Sequence, residues 1–325
     1  MIRRRQLLVV LGASTLGAPL RAVAQPATAF RVGWLSLDRA AGSPFFDPFR
    51  AGLRDLGWDE GRDLVIDARW ADGSSERADS IAAELVKSKP HVIVTQGGAI
   101  HPVRRAGPTM PVVFGFSGDP VEAGLVASLA RPGRNLTGVT FLSLELVGKR
   151  VELLKDVMPK LSRVSILASP EHPGEQAELR ASQAAAKALG LTLEYFPVRN
   201  EGELEQAFAA IARARSEAVV VFPDALTLRT RERIAQFGLE QRLPVVSGWA
   251  QFADGGCLMT YGPNLRASFR RLATYVHRIL RGARPSELPV ELPTSVELVV
   301  NMRTAAALGI KIPQAVLVRA DRVIE

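Results

Sequence analysis

The chain carries a single cysteine, Cys257. No internal disulfide can form, so the fold has to stand on a hydrophobic core. Four histidines (His91, His101, His172 and His277) are scattered without metal-ligand spacing, which argues against a structural zinc site. Aromatic residues make up only 6% of the sequence. No G-x-G-x-x-G fingerprint and no Walker sequence occurs, so neither a dinucleotide nor a nucleotide phosphate has its usual cradle. The most apolar run, Leu7 to Leu16, is about ten residues long, whereas a membrane span needs roughly 20.

That short run has a different meaning. Arg3-Arg4-Arg5 precedes it and Ala22-Val23-Ala24 follows it, the charged region, apolar region and small-x-small ending of a secretory signal. The signal fits two routes: arginines before Gln6-Leu7-Leu8 point to twin-arginine export, and a Sec signal carries arginines too. No cysteine lies near the cleavage site, which argues against a lipid anchor. Residues 1–24 are therefore a signal peptide, and the mature chain is expected to start at Gln25, exported to the periplasm and not inserted in the membrane. Losing Arg3, Arg4, Arg5 and Arg21, and no acid, leaves 37 basic side chains against 33 acidic, a net charge of +4. So small and dispersed a charge is a solvated surface and not a nucleic-acid footprint.

From Phe30 onward apolar runs alternate with amphipathic stretches. Strands are predicted at Phe30–Ser36, 63–70, 91–96, 111–116, 135–141, 163–169, 191–198, 217–223 and 243–247. Helices are predicted at 47–56, Ser75–Lys87, Leu144–Val157, 173–189, 201–215 and 226–241. This alternation means βαβ units and parallel sheet. The order then repeats. Arg31-Val32-Gly33-Trp34-Leu35-Ser36 is similar to Arg163–Ser169, His91–Val94 to Ala218–Val221, and Pro111–Gly115 to Pro244–Gly248. The offsets are 132, 127 and 133 residues, as expected of two similar α/β lobes. After Asp254-Gly255-Gly256 a short run at 257–261, a helix near 265–281, a strand at 294–301 and a last helical stretch complete both lobes. The division read from this is 29–140 with 255–284 for lobe 1, and 141–254 with 285–325 for lobe 2.

Ligands bind beyond the carboxyl ends of strands in an open parallel sheet. Four ends carry small or polar residues: Leu35-Ser36, Thr95-Gln96-Gly97-Gly98, Phe116-Ser117-Gly118-Asp119 and Phe222-Pro223-Asp224. Gly115-Phe116-Ser117-Gly118-Asp119 misses the G-x-S-x-G nucleophile elbow at its last glycine and suggests no histidine partner at a later strand end, which argues against a serine hydrolase. Asp119 before Pro120 either caps a following helix or touches a ligand, and the two roles are compatible. Phe116, Phe141, Trp249 and Tyr261 fall at the same ends and would supply flat apolar walls.

Several motifs resemble one family. R-V-G-W-L-S (Arg31–Ser36), F-x-x-G-L-x-x-L-G-W-x-E-G (Phe49–Gly61) and S-G-D-P-V-x-x-G-L-V-x-S-L-A-R-P-G-x-N-L-T-G (Ser117–Gly138) are followed by G-K-R-x-E-L-L-K (Gly148–Lys155). P-T-x-x-E-L-V-V-N (Pro293–Asn301) and A-L-G-I-x-I-P (Ala307–Pro313) close the set. Together they are similar to the substrate-binding proteins of ABC transporters of the tryptophan and tyrosine type, over essentially the whole mature chain. The resemblance implies a type I periplasmic binding protein: two Rossmann-like lobes with parallel sheets, three crossovers, and a ligand held in the hinge cleft.

The expectation is an exported binding protein, not an enzyme, that closes on an amino acid or an aromatic or branched carboxylate. It would act as a monomer, without metal or cofactor, and hand the solute to an ABC permease and its ATPase. A ligand sensor feeding a membrane receptor is the alternative, and an exported hydrolase is a lesser one. Candidate ligand contacts are Ser36, Thr95, Gln96, Gly97, Gly98, Phe116, Ser117, Asp119, Phe141, Asp224, Trp249 and Tyr261. Glycine-loop amides would meet an anion, Asp119 or Asp224 a cationic group, and Phe116, Trp249 and Tyr261 an apolar body.

Overall fold

Strands such as Val92–Gln96, Val112–Phe116 and Ala218–Val221 are buried at every residue. Side chains alternate across a strand, so apolar residues throughout need cover on both faces. The computed structural model supplies that cover with helices, and it describes residues 29–40, 44–142 and 144–325. The signal segment expected at 1–24 lies outside these residues.

The first lobe runs β1 (Phe30–Ser36), α1 (Phe46–Asp55), β2 (Leu64–Trp70), α2 (Ser75–Lys87), β3 (Val92–Gln96), α3 (Ile100–Arg105), β4 (Val112–Phe116) and β5 (Leu136–Thr140). Its sheet has the order β2-β1-β3-β4-β5, parallel throughout. The chain then crosses into the second lobe with α4 (Leu144–Val157), β6 (Arg163–Ala168), α5 (Glu175–Ala188), β7 (Thr192–Pro197), α6 (Leu204–Arg213) and β8 (Ala218–Val221). It continues through α7 (Ala225–Arg229), α8 (Arg231–Glu240), β9 (Val245–Ser247), α9 (Ala250–Asp254) and β10 (Met259–Pro263).

At Asn264 the chain crosses back. Asn264 caps α10 (Leu265–Leu280) by accepting from the Ala267 amide at 2.9 Å. Helix α10 packs on α1 so closely that a Cβ on Gly52 would stand 2.8 Å from the Ala273 Cβ. A third crossing then leads to β11 (Val296–Asn301), α11 (Met302–Leu308), α12 (Gln314–Leu317) and β12 (Arg322–Ile324). The second sheet has the order β12-β11-β10-β9-β8-β6-β7, with β10 and β11 antiparallel and the other pairs parallel. The architecture is the two-lobed α/β fold with parallel-rich sheets expected from the sequence.

The expected division differs at two places. Met259–Pro263 pairs with β9 and β11 and so belongs to the second lobe. Residues 285–291 stay on the first, where Val290 N donates to Leu129 O at 2.7 Å and Thr140 N donates to Glu291 O at 2.9 Å. Two local readings also change. No helix follows Pro120: the chain makes a turn in which Asp119 Oδ1 accepts from Val121 N at 2.7 Å and Glu122 N at 3.2 Å. The single helix expected at 226–241 is two, because Thr230 turns its hydroxyl back onto the Leu226 carbonyl at 3.0 Å and leaves helical geometry.

Candidate functional site

Loops leaving the carboxyl ends of eight parallel strands converge on one cavity of about 410 Å³ between the lobes. The first lobe contributes Leu37 after β1, Asp72, Gly73 and Ser75 after β2, Gln96, Gly97 and Gly98 after β3, and Ser117 after β4. The second contributes Ser169, Glu171, His172 and Pro173 after β6, Arg199, Asn200 and Glu201 after β7, Asp224 and Ala225 after β8, and Trp249 after β9. Leu226 and Arg229 reach it from α7.

Six of the candidate contacts therefore line the cavity: Gln96, Gly97, Gly98, Ser117, Asp224 and Trp249. Gln96 is oriented by Ser36, whose Oγ accepts from its amide Nε2 at 2.9 Å. Among the described residues no donor reaches Gln96 Oε1. Gly97 has φ of 55°, a left-handed turn that favours glycine. It opens a 3-10 turn with Gly98, whose first amides have no partner within the turn. Asp224 caps α7: its Oδ1 accepts from Thr227 N at 2.7 Å and from Thr227 Oγ1 at 2.9 Å, and Thr227 Oγ1 accepts from Asp224 N at 3.0 Å. Oδ2 of Asp224 has no described partner, so the carboxylate can cap and still face the cavity. Trp249 is 5% exposed and meets Phe45 of the first lobe edge-on, ring centroids 6.0 Å apart.

The other six candidates lie outside the cavity lining. Ser36 is buried behind Gln96, which it positions. Thr95 is buried, with a hydroxyl that finds no partner among the described residues. Phe116 packs in the first-lobe core between Phe114 and His101. Phe141 covers Gly115, where a Cβ would lie 2.5 Å from its ring, and contacts Phe269. Tyr261 packs on the second-lobe core while its backbone oxygen accepts from Arg150 Nε at 2.9 Å. Asp119 spends its carboxylate on the turn after Pro120. Strand-end position alone could not separate these, because alternate residues of one strand end point to opposite faces.

Sequence reasoning missed the loops after β2, β6 and β7. Their signal was the same carboxyl-end rule, unapplied where loops were rich in charge. Arg229 donates through Nε to Glu201 Oε1 at 2.8 Å, and that hydrogen bond holds the Glu201 carboxyl below its ordinary value. The Arg229 guanidinium also reaches across the cleft: a Cβ on Gly73 would stand 3.2 Å from it. His172 is buried, and its Nε2–H donates to Glu178 Oε1 at 3.1 Å. Glu178 Oε2 in turn pairs with Arg150 Nη1 at 3.3 Å. Burial pushes the Glu178 carboxyl up, but the charge of Arg150 and the His172 hydrogen bond outweigh it and hold it below the ordinary value.

This arrangement can hold a small molecule. No hydrogen bond joins Ser117 Oγ to His172, whose Nδ1 finds no partner among the described residues. Nor do three or more His, Cys, Asp or Glu residues gather among them in a way that could hold a metal ion. Cys257 is buried, and burial pushes its thiol up to about 12. No helix of the described residues is long and apolar enough to cross a membrane.

Comparison with known proteins gives three kinds of match. The family model described as ABC transporter substrate binding protein matches residues 43–324. The "Tyrosine-binding protein" of Clostridioides difficile (strain R20291) is 23% identical over 265 residues, covering 81% of this chain and 76% of the relative. Among solved structures, a conserved domain protein of Vibrio cholerae superposes with a TM-score of 0.84 at 28% identity, over 91% of this chain and 99% of the other. An ABC domain from Streptococcus pneumonia, in complex with L-Trp, gives a TM-score of 0.85 at 23% identity, over 91% and 100%.

Proposed function

We propose that this chain, which belongs to the ABC transporter substrate-binding protein family, captures an amino acid, or an aromatic or branched carboxylate, between its lobes and delivers it to an ABC importer. Members of that family bind substrates and are not enzymes. The observation that supports the finer reading is the cavity itself, a cleft lined from both lobes by Trp249 and by groups of both charge signs. Amides at Gly97 and Gly98 with the Ser117 hydroxyl suit a carboxylate. The free Oδ2 of Asp224 suits an ammonium group, and the Trp249 ring a flat or branched side chain. The relative named for tyrosine and the neighbour solved with L-Trp support the same ligand class.

Export through the N-terminal signal would place the mature protein in the periplasm, as a monomer that meets a permease and its ATPase. The test is a thermal-shift screen of the mature chain with L-tryptophan, L-tyrosine, L-leucine, aromatic acids and free sugars, followed by calorimetry of each hit. A ligand at a hundredfold excess over Kd stabilises the fold by about 2.7 kcal/mol, a readily measured shift. An amino acid or apolar carboxylate should be the hit. A sugar as the sole hit would overturn the reading.

A further inference from the structure

Two loops meet backbone to backbone across the cleft. A Cβ built on Gly174, after β6, would stand 2.3 Å from the Ser117 carbonyl oxygen, after β4. A Cβ on Gly118 would stand 2.7 Å from the Pro173 carbonyl oxygen. Gly174 has φ of −97° and ψ of 1°, a turn conformation open to alanine. Its own backbone therefore does not demand glycine. The shortest approach is from the neighbouring lobe, and His172 Nε2 of its own loop would stand at 3.1 Å.

Both sides of this contact are fastened from behind. Thr140 Oγ1 donates to Gly118 O at 2.9 Å and Phe141 N donates to Phe116 O at 2.6 Å. On the other side His172 N donates to Ser169 O and Glu175 N to His172 O, each at 3.0 Å, and the His172 ring is tied to buried Glu178 at 3.1 Å. With both loops held in this way, a side chain at Gly174 is accommodated by moving the lobes about 1 Å apart, to an ordinary van der Waals distance. The contact adjoins the first crossing, where Leu142 Cδ1 lies 3.4 Å from the position of a Gly174 Cβ. A small gap near a hinge becomes a larger opening farther from it.

We infer that Gly118 and Gly174 form the stop that sets the closed cleft: the lobes close on a solute only because neither position carries a side chain. This rests on the binding-protein reading proposed for the cavity. The test compares the mature wild-type chain with Gly174→Ala and with Gly148→Ala, a helix α4 control whose new Cβ would meet only the Ala185 Cβ at 3.7 Å. Each is measured for melting temperature without solute, for Kd, and for compaction by small-angle scattering, with L-tryptophan, L-tyrosine and L-leucine as probes. Gly174→Ala should fold like wild type without solute, bind at least tenfold more weakly, and compact less. Gly148→Ala should bind as wild type does. Wild-type affinity and compaction in Gly174→Ala would overturn the inference. So would loss of its fold without solute, because the contact would then belong to the lobes at rest. A wild-type chain that compacts with no probe is a separate failure, that of the ligand reading, and shows in the wild-type arm alone.

Discussion

Replacing Glu178 by glutamine removes the negative charge from a cluster in which the Arg150 and Glu178 side chains are each 5% exposed and the His172 side chain is fully covered. Arg150 would keep its bond to the Tyr261 carbonyl at 2.9 Å but would lose its only described counter-charge. Breaking a buried pair from one side costs about 3–5 kcal/mol, mostly for the charge left behind. A glutamine carbonyl can still accept a hydrogen bond, so the lower end, about 3 kcal/mol, is expected. That corresponds to roughly 6–12 °C in melting temperature for a chain of this size. The pH dependence comes from the direction of the shift. Glu178 is held below its unfolded value of 4.5, so its contribution is fully present above about pH 4.5 and fades as pH falls through the folded value. Urea unfolding of both proteins between pH 3 and pH 7 measures this. The wild-type advantage should shrink on acidification. The double variant Arg150→Met with Glu178→Leu should recover much of the loss, since an apolar replacement leaves no bare charge. A Glu178→Gln protein within about 1 kcal/mol of wild type at pH 7, or a double variant worse than the single one, would refute the reasoning.

Asp224→Ala should lower stability by about 1 kcal/mol through the lost cap and weaken amino-acid binding at least tenfold. Asp119→Ala should show a similar stability loss with unchanged affinity; urea unfolding and calorimetry on both variants separate the roles. Trp249→Ala should weaken binding of an aromatic ligand by tenfold or more and, because the ring is also packed against Phe45, destabilise the fold by about 3–5 kcal/mol; Trp249→Phe should keep most of both. Burial pushes the Asp38 carboxyl up despite the Arg39 amide and the charges of Arg229, Arg231 and Arg39. Its charged form is therefore penalised in the fold above the unfolded value of 3.8. Asp38→Asn should raise stability at pH 7 and make no difference below about pH 3.8, as thermal melts at both pH values would report.

Strand and helix identity was legible wherever the pattern was long. Ser75–Lys87 and Leu144–Val157 begin and end at the residues their periodicity indicated. Arg322–Ile324 was not legible as a strand, because three mostly exposed edge residues leave no alternation to read. The lining of the candidate cavity was half legible. Gly97-Gly98 and Asp224 announce themselves by residue type at a strand end. Phe116 and Phe141 look the same in sequence, yet they point into the core, because the side of a strand a residue faces depends on register with neighbours it does not touch in sequence. His172 and Glu178 were missed for a related reason: each reads alone as an ordinary polar residue, and their meaning comes from Arg150, more than 20 positions away and on another helix.

The internal duplication extends beyond the three strand pairs whose sequences are alike. Strands β1, β3 and β4 correspond to β6, β8 and β9, and the sheets show the same neighbours around them, β2-β1-β3-β4-β5 against β7-β6-β8-β9-β10. Carried one strand further, the correspondence sets β10 opposite β5, each parallel to the strand before it. That places Met259–Pro263 in the second lobe, where the structure has it, instead of the first. The same correspondence governs the helices that leave these two strands. After β5 the chain leaves for the second lobe and packs α4 on α5; after β10 it leaves for the first and packs α10 on α1. Each half gives its last helix to the other lobe. The exchange puts two crossings side by side, and the stretch leading to β11 adds a third, joined to them where Asn264 N donates to Ser295 O at 2.9 Å and Thr140 N to Glu291 O at 2.9 Å. Three strands of chain side by side are where the closure proposed for this protein would bend.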